Sequence, residues 1–97
     1  MLEKASVLER LTLYKNAHAL RMGIEEIGLF GSYAKGMQTK QSDIDVYVRL
    51  SQANLFTLSR IRIDLEELFG KKVDIVQLRE HMNNFLKRRI EADAVSA

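Results

Sequence analysis

Neither cysteine nor proline occurs in the 97 residues of this chain, and histidine occurs only at positions 18 and 81. The missing cysteine excludes a disulfide framework and a thiolate zinc site. His18 and His81 give little basis for a histidine-rich metal centre and read as surface or partly packed side chains. The missing proline fits regular elements joined by short glycine-containing or polar connections. No apolar run approaches the roughly 20 residues that a bilayer requires. Residues 1–22 carry charges throughout and lack an apolar segment followed by a small-residue cleavage site, so no signal peptide is expected. The expectation is a cytoplasmic protein without membrane association. Charge of one sign is scarce too. Fifteen basic against 13 acidic side chains leave a formal charge of +2, too little to mark a nucleic-acid binder by composition.

What remains is an ordinary globular composition, 46% hydrophobic and 29% charged, in a chain long enough for one domain, residues 1–97, with a small core. Residues 5–22 place Val7, Leu8, Leu11, Tyr14 and Leu20 at helical spacing, with Gly23 as the stop. Ile24 to Phe30 reads as a strand ending at Gly31. A second strand runs from about Ile44 to Leu50. Its alternation puts Ile44, Val46, Val48 and Leu50 on one face and Asp43, Asp45, Tyr47 and Arg49 on the other. Residues 54–69 carry a helical stripe of Leu55, Leu58, Ile61, Leu65, Leu68 and Phe69, closed by Gly70. "KKVDIVQL" reads as a third strand, and residues 79–91 as a last helix through Met82, Phe85, Leu86 and Ile90. No internal repeat or linker appears.

This order predicts an α/β (α+β) fold with a small mixed three-stranded sheet flanked by helices. A strand, a helix and a strand over residues 43–77 favour a parallel pair with a right-handed crossover. Residues 31–42 are too few for such a crossover, so the first two strands should be antiparallel. Gly31 and Ser32, Asp43 and Asp45, and Asp74 then meet at one edge of the sheet.

Two aspartates at i and i+2 of a strand point the same way, about 6 to 7 Å apart at the backbone. Unpaired, they repel, and Asp74 on the adjacent strand adds to the repulsion. A hard divalent cation such as Mg²⁺ turns that cost into a binding site and keeps positions open for phosphate oxygens. Two such ions would stabilise the attacking and leaving oxygens of a nucleotidyl transfer, with Asp74 completing the second position or accepting the proton of the attacking hydroxyl. Gly31 lets backbone approach a phosphate, Ser32 offers its N–H and hydroxyl, and Lys35 adds a cation. A glycine-flanked turn is usually only a turn, and an Asp-x-Asp at a strand start is more often a cap or an ion-pair partner. Their convergence with Asp74 on one sheet edge supports the catalytic reading.

Gly31 and Ser32, ten intervening positions, Asp43-Ile44-Asp45, and the later "VDIV" holding Asp74 resemble the DNA polymerase β-type nucleotidyltransferase superfamily. The likeness is greatest to its minimal nucleotidyltransferase branch, small proteins often paired as antitoxins with a HEPN-domain toxin. The resemblance covers residues 24–90 and implies that Gly31 and Ser32 hold the triphosphate, that Asp43 and Asp45 bind Mg²⁺, and that Asp74 is the third catalytic carboxylate. It further implies transfer of AMP from ATP to a hydroxyl of a partner, a tyrosine of the HEPN toxin. The alternative is a catalytically silent antitoxin that neutralises by binding alone. A nucleic-acid-binding domain is a third reading, which the near balance of charge disfavours. Many members carry arginine where this chain has Tyr33 and Lys35. Lys35 keeps the charge, and Tyr33 offers an aromatic face and a hydroxyl instead.

Lys87, Arg88 and Arg89 read as a solvated face with favourable charges near a helix C-terminus, or else as a partner-docking or phosphate-contacting patch. Tyr14 and Tyr47 read as packing residues, although Tyr47 shares the carboxylate face and could stack on a base. Leu2 and Val95 are candidates for framing an interface, with a homo- or hetero-oligomer left open.

Overall fold

A computed structural model describes residues 2–52, 54–79 and 81–97. Helix α1 spans Lys4–Met22, strand β1 Ile24–Phe30, the one-turn helix α2 Gly31–Lys35 and strand β2 Ile44–Leu50. Helix α3 spans Leu55–Phe69, strand β3 Val73–Gln77, helix α4 Asn84–Asp93 and strand β4 Val95–Ser96. No helix among the described residues is long and apolar enough to cross a membrane.

The sheet has four strands rather than three, in the order β3-β2-β1-β4. β1 and β2 are antiparallel, and β2 and β3 are parallel through α3, as their connections predict. The added strand pairs antiparallel with the outer edge of β1 through Gly28↔Ser96 and Leu29↔Val95, and Ala97 N–H donates to the Ile27 carbonyl at 2.9 Å. Two residues carry no alternation to read, so β4 is invisible locally. It exists because β1 would otherwise leave a row of unpaired backbone groups. Gly28 is bare for the same reason: a β-carbon there would collide with the Val95 carbonyl and the Tyr47 ring.

Strand alternation splits the molecule into two layers of unequal weight. Ile44, Val46, Val48 and Leu50 of β2 and Ile27 and Leu29 of β1 face α1 and α3, where they pack with Val7, Leu11, Tyr14, Ile61, Leu65 and Phe69. On the opposite face Phe30 and Tyr47 meet only Ile90 of α4 as buried apolar partners, with Val76, Leu78, Met82 and Leu86 partly covering them.

Several apolar positions behave otherwise than periodicity suggests. Leu20 is fully exposed, Leu55 is 80% exposed and Phe85 79% exposed, each near a helix end. Leu68 is partly exposed, at 41%, so α3 fully buries the narrower stripe Ile61, Leu65 and Phe69. Leu2 and Val95 are partly buried and pack against this chain's own core. The last helix starts five residues later than expected, at Asn84, because Asn83 caps it. The Asn83 Oδ1 accepts from the N–H groups of Phe85 and Leu86 at 2.9 and 3.2 Å. Asn54 caps α3 in the same way, with 2.9 and 3.3 Å bonds from Phe56 and Thr57.

Candidate active site

The site is a row across three strands. Phe30 at the end of β1 pairs with Asp45 of β2, and Asp45 pairs with Asp74 of β3. Ile44 and Val46 turn into the main core, so Asp45 projects to the α4 face, and Asp74 does the same beside Val73. Gly31 follows Phe30 directly with φ of 72°, and a β-carbon at this position would strike Asp45 Oδ2. Both the backbone conformation and the contact demand glycine. The chain then turns through α2, in which Met37 N–H donates to the Ser32 carbonyl at 2.9 Å, and Ser32 stays half-buried beside the row.

Charge is concentrated on Asp45. Burial raises its pKa above the ordinary aspartate value, the Asp74 carboxylate adds to the rise and Asp43 pushes the same way, while Arg89 of α4 pulls it down. Asp45 and Asp74 are register partners on the adjacent parallel strands β2 and β3. Asp43 precedes β2 by one residue, and its Oδ2 lies 3.9 Å from Lys72 Nζ. The structure therefore joins Asp45 and Asp74 as a pair and leaves Asp43 turned to a surface lysine. Among the described residues no three His, Asp or Glu side chains are gathered tightly enough to hold a metal ion. The donor set nevertheless suits Mg²⁺: hard carboxylate oxygens alone, under mutual repulsion that a divalent cation would relieve, with Asp43 adjacent as a further oxygen donor.

The other expected residues fall into different environments. Lys35 is half exposed, with Nζ 3.5 Å from Asp93 Oδ2 of α4, so its cation is held at the mouth of the turn. Tyr33 does not offer its ring to a ligand. It is fully buried in the main core, its hydroxyl has no partner among the described residues, and Lys71 Nζ lies 5.9 Å from its ring centroid. The reason is the helical turn of α2, whose step of about 100° per residue keeps the adjacent Tyr33 and Ala34 inward and turns Lys35 outward. Tyr47 is also too buried to stack on a base, and its hydroxyl donates to Glu26 Oε2 at 3.3 Å. His18 is partly packed beside Tyr14, with ring centroids 4.4 Å apart, and His81 is exposed.

Arg89 is the residue whose place the sequence left open. Because α4 runs to Asp93, Lys87, Arg88 and Arg89 lie in its middle and complement no helix terminus. Arg89 lies over the Phe30 ring, 6.0 Å from the centroid, while Arg88 points to solvent and Lys87 lines a groove at the other end of the sheet. The local signal was its position next to Ile90, the residue that seats α4 on the sheet.

A row of carboxylates beside a bare, glycine-led turn on a small mixed sheet is the frame of a nucleotidyl-transfer enzyme. Residues 13–95 match the family model described as polymerase beta, nucleotidyltransferase, and the chain belongs to that family. It is 35% identical over 77 residues to the protein adenylyltransferase MntA of Thermococcus cleftensis, covering 78% of each chain. It is also similar to a toxin-antitoxin structure with AMP-PNP, with a TM-score of 0.69 and 26% identity over 86% of this chain and 69% of that one. The fold recurs in a complex of a tri-AMPylated Shewanella oneidensis HEPN toxin with its MNT antitoxin. There the TM-score is 0.62 and the identity 23%, over 91% of this chain and 70% of that one.

Proposed function

We propose that this chain transfers AMP from ATP, with Mg²⁺, to a tyrosine hydroxyl of a HEPN-type toxin in the cytoplasm, and so acts as the antitoxin of the pair. The observation that carries the reading is the Asp45–Asp74 pair in register beside Gly31, where carboxylates and a phosphate-accessible backbone meet. The relative named as a protein adenylyltransferase, the neighbour with AMP-PNP and the neighbour with a tri-AMPylated HEPN toxin support the same chemistry.

In this reading the acceptor oxygen attacks the α-phosphorus of ATP. A new oxygen-phosphorus bond forms, the bond from the α-phosphorus to the bridging oxygen breaks, and diphosphate leaves. The acceptor proton passes to a carboxylate, for which Asp74, exposed at the row's end, is the candidate. Asp43 and Asp45 would hold Mg²⁺ with Asp74, and the ion would supply charge stabilisation for the oxygens at phosphorus. Gly31 and Ser32 would admit the triphosphate, and Lys35, held by Asp93, would meet its charge.

The test is the intact mass of the candidate partner after incubation with this chain, ATP and Mg²⁺, beside an Asp43→Asn/Asp45→Asn double variant. A gain of one or more AMP groups is expected with the wild type, and a rate at least about a hundredfold lower with the variant. A partner that binds tightly and is neutralised without any mass gain would replace catalysis with occlusion.

A further inference from the structure

We propose that Arg89 is a phosphate-binding residue of the nucleotidyl-transfer site, supplied by α4 to the triphosphate of the incoming nucleotide. The inference rests on the nucleotidyl-transfer reading above. The guanidinium lies 6.0 Å from the centroid of the Phe30 ring, and Phe30 is both the register partner of Asp45 and the residue that opens the Gly31-Ser32 turn. Arg89 therefore sits over the junction where a nucleotide's phosphates must pass between the turn and the carboxylates.

Its bonding leaves it available there. Among the described residues it forms no ion pair within 4.0 Å, whereas Lys35 and Lys72 of the same region each pair with an aspartate. A guanidinium held over an aromatic ring at cation–π range keeps its N–H donors for another acceptor, and its planar fork suits phosphate oxygens. The side chain is exposed, so those donors can be reached.

The position is also built. Ile90 is buried between Phe30 and Tyr47, and Asp93, one helical turn beyond Arg89, ties α4 to Lys35 at 3.5 Å. Both anchors follow Arg89 directly along α4 and hold this part of the helix on the sheet. Besides Mg²⁺, the cations facing a triphosphate beside Asp43, Asp45 and Asp74 would otherwise be Lys35 and Lys72, each already paired with an aspartate. Arg89 answers the phosphate charge from the wall opposite β3.

The experiment is calorimetric titration of the full chain with ATP and, separately, with AMP, in Mg²⁺. The proteins are the wild type, Arg89→Ala, Arg89→Lys and Arg88→Ala. Arg89→Ala is expected to weaken ATP binding about tenfold or more, the range for a charged hydrogen-bonding partner. AMP binding should fall far less. Arg89→Lys should lie between, and Arg88→Ala, which removes the same net charge from the neighbouring position, should bind ATP as the wild type does. Unchanged ATP binding in Arg89→Ala, an equal loss for ATP and AMP, or an equal loss in Arg88→Ala would overturn the proposal. If the alanine variant melts early, Arg89→Lys decides, and wild-type affinity for ATP in that variant overturns the proposal. A wild-type chain that fails to bind ATP at all would instead sink the nucleotidyl-transfer reading itself.

Discussion

The two faces of the sheet differ in what they are built from. Among the described residues the α1/α3 face joins sixteen buried residues in one cluster, whereas the α4 face buries only Phe30, Tyr47 and Ile90, and the disparity assigns stability to the first face. The α4 face instead carries Asp45, Asp74, Glu26, Arg49 and the cations of α4. A period of two along β2 divides these duties, since each core residue alternates with a polar one. Repelling carboxylates are tolerable where packing is thin and solvent or a ligand can reach them. On the heavy face the same charges would be stranded.

Large-to-small substitutions test this division most severely. Leu65→Ala should cost about 2–5 kcal/mol, a large share of the stability of a small domain. Ile90→Ala should cost about 2 kcal/mol or less, because its half-exposed neighbours can settle into the gap. Its effect on nucleotide binding should be the larger of the two, since Ile90 seats α4. Denaturant unfolding and ATP titration of both variants measure this, and equal stability losses would break the comparison.

A smaller effect is expected at a polar link between the helices of the heavy face. The Tyr14 hydroxyl donates to Asp64 Oδ2 at 2.7 Å and joins α1 to α3, while Arg60 Nε holds Asp64 Oδ1 at 3.1 Å. Burial and the Asp64 carboxylate keep this phenol protonated well beyond the ordinary tyrosine range. Tyr14→Phe should cost about 1 kcal/mol and lower the Tm by about 4–8 °C. AMP transfer below the new Tm should not change, and a loss of transfer would mean that the faces are coupled.

The smallest effect should have the opposite sign. Asp45 has its folded pKa raised above the unfolded value, first by burial and then by Asp74. Between those two values the folded state binds more protons than the unfolded chain, so stability falls as pH rises through that window. The ionised carboxylate stays destabilising above it. In the absence of Mg²⁺, Asp45→Asn should therefore melt at a higher temperature than wild type at pH 7. The difference should shrink as pH falls below the ordinary aspartate value. Melting curves across that pH range in a chelator give the answer, and a variant that melts lower at pH 7 would show that Asp45 is held by attraction rather than repulsion.

The sheet edge was readable because its determinants are local. Alternation over residues 44–50 gave the faces, glycines at 23 and 70 ended α1 and α3, and the short loop before β2 forced an antiparallel pair. The cap at Asn83 was also local, but the apolar residues Met82 and Phe85 around it blurred the start of α4. The exposure of Leu20 and Leu55 was not readable, because a helical stripe does not say where the sheet beneath it stops.

By itself, then, the sequence determined which residues could share a face, where the bare turn stands, and that Asp45 and Asp74 would come to adjacent strands. Those properties follow from the periods of strand and helix and from the freedom of glycine. Only the tertiary structure decided that β4 closes the edge of β1, that Tyr33 is core, that Asp43 turns to Lys72, and that Arg89 rather than Arg88 lies over Phe30. Each of these depends on how distant segments pack. Periodicity gives a side chain's direction relative to its own backbone, and packing alone supplies the neighbour it finds there.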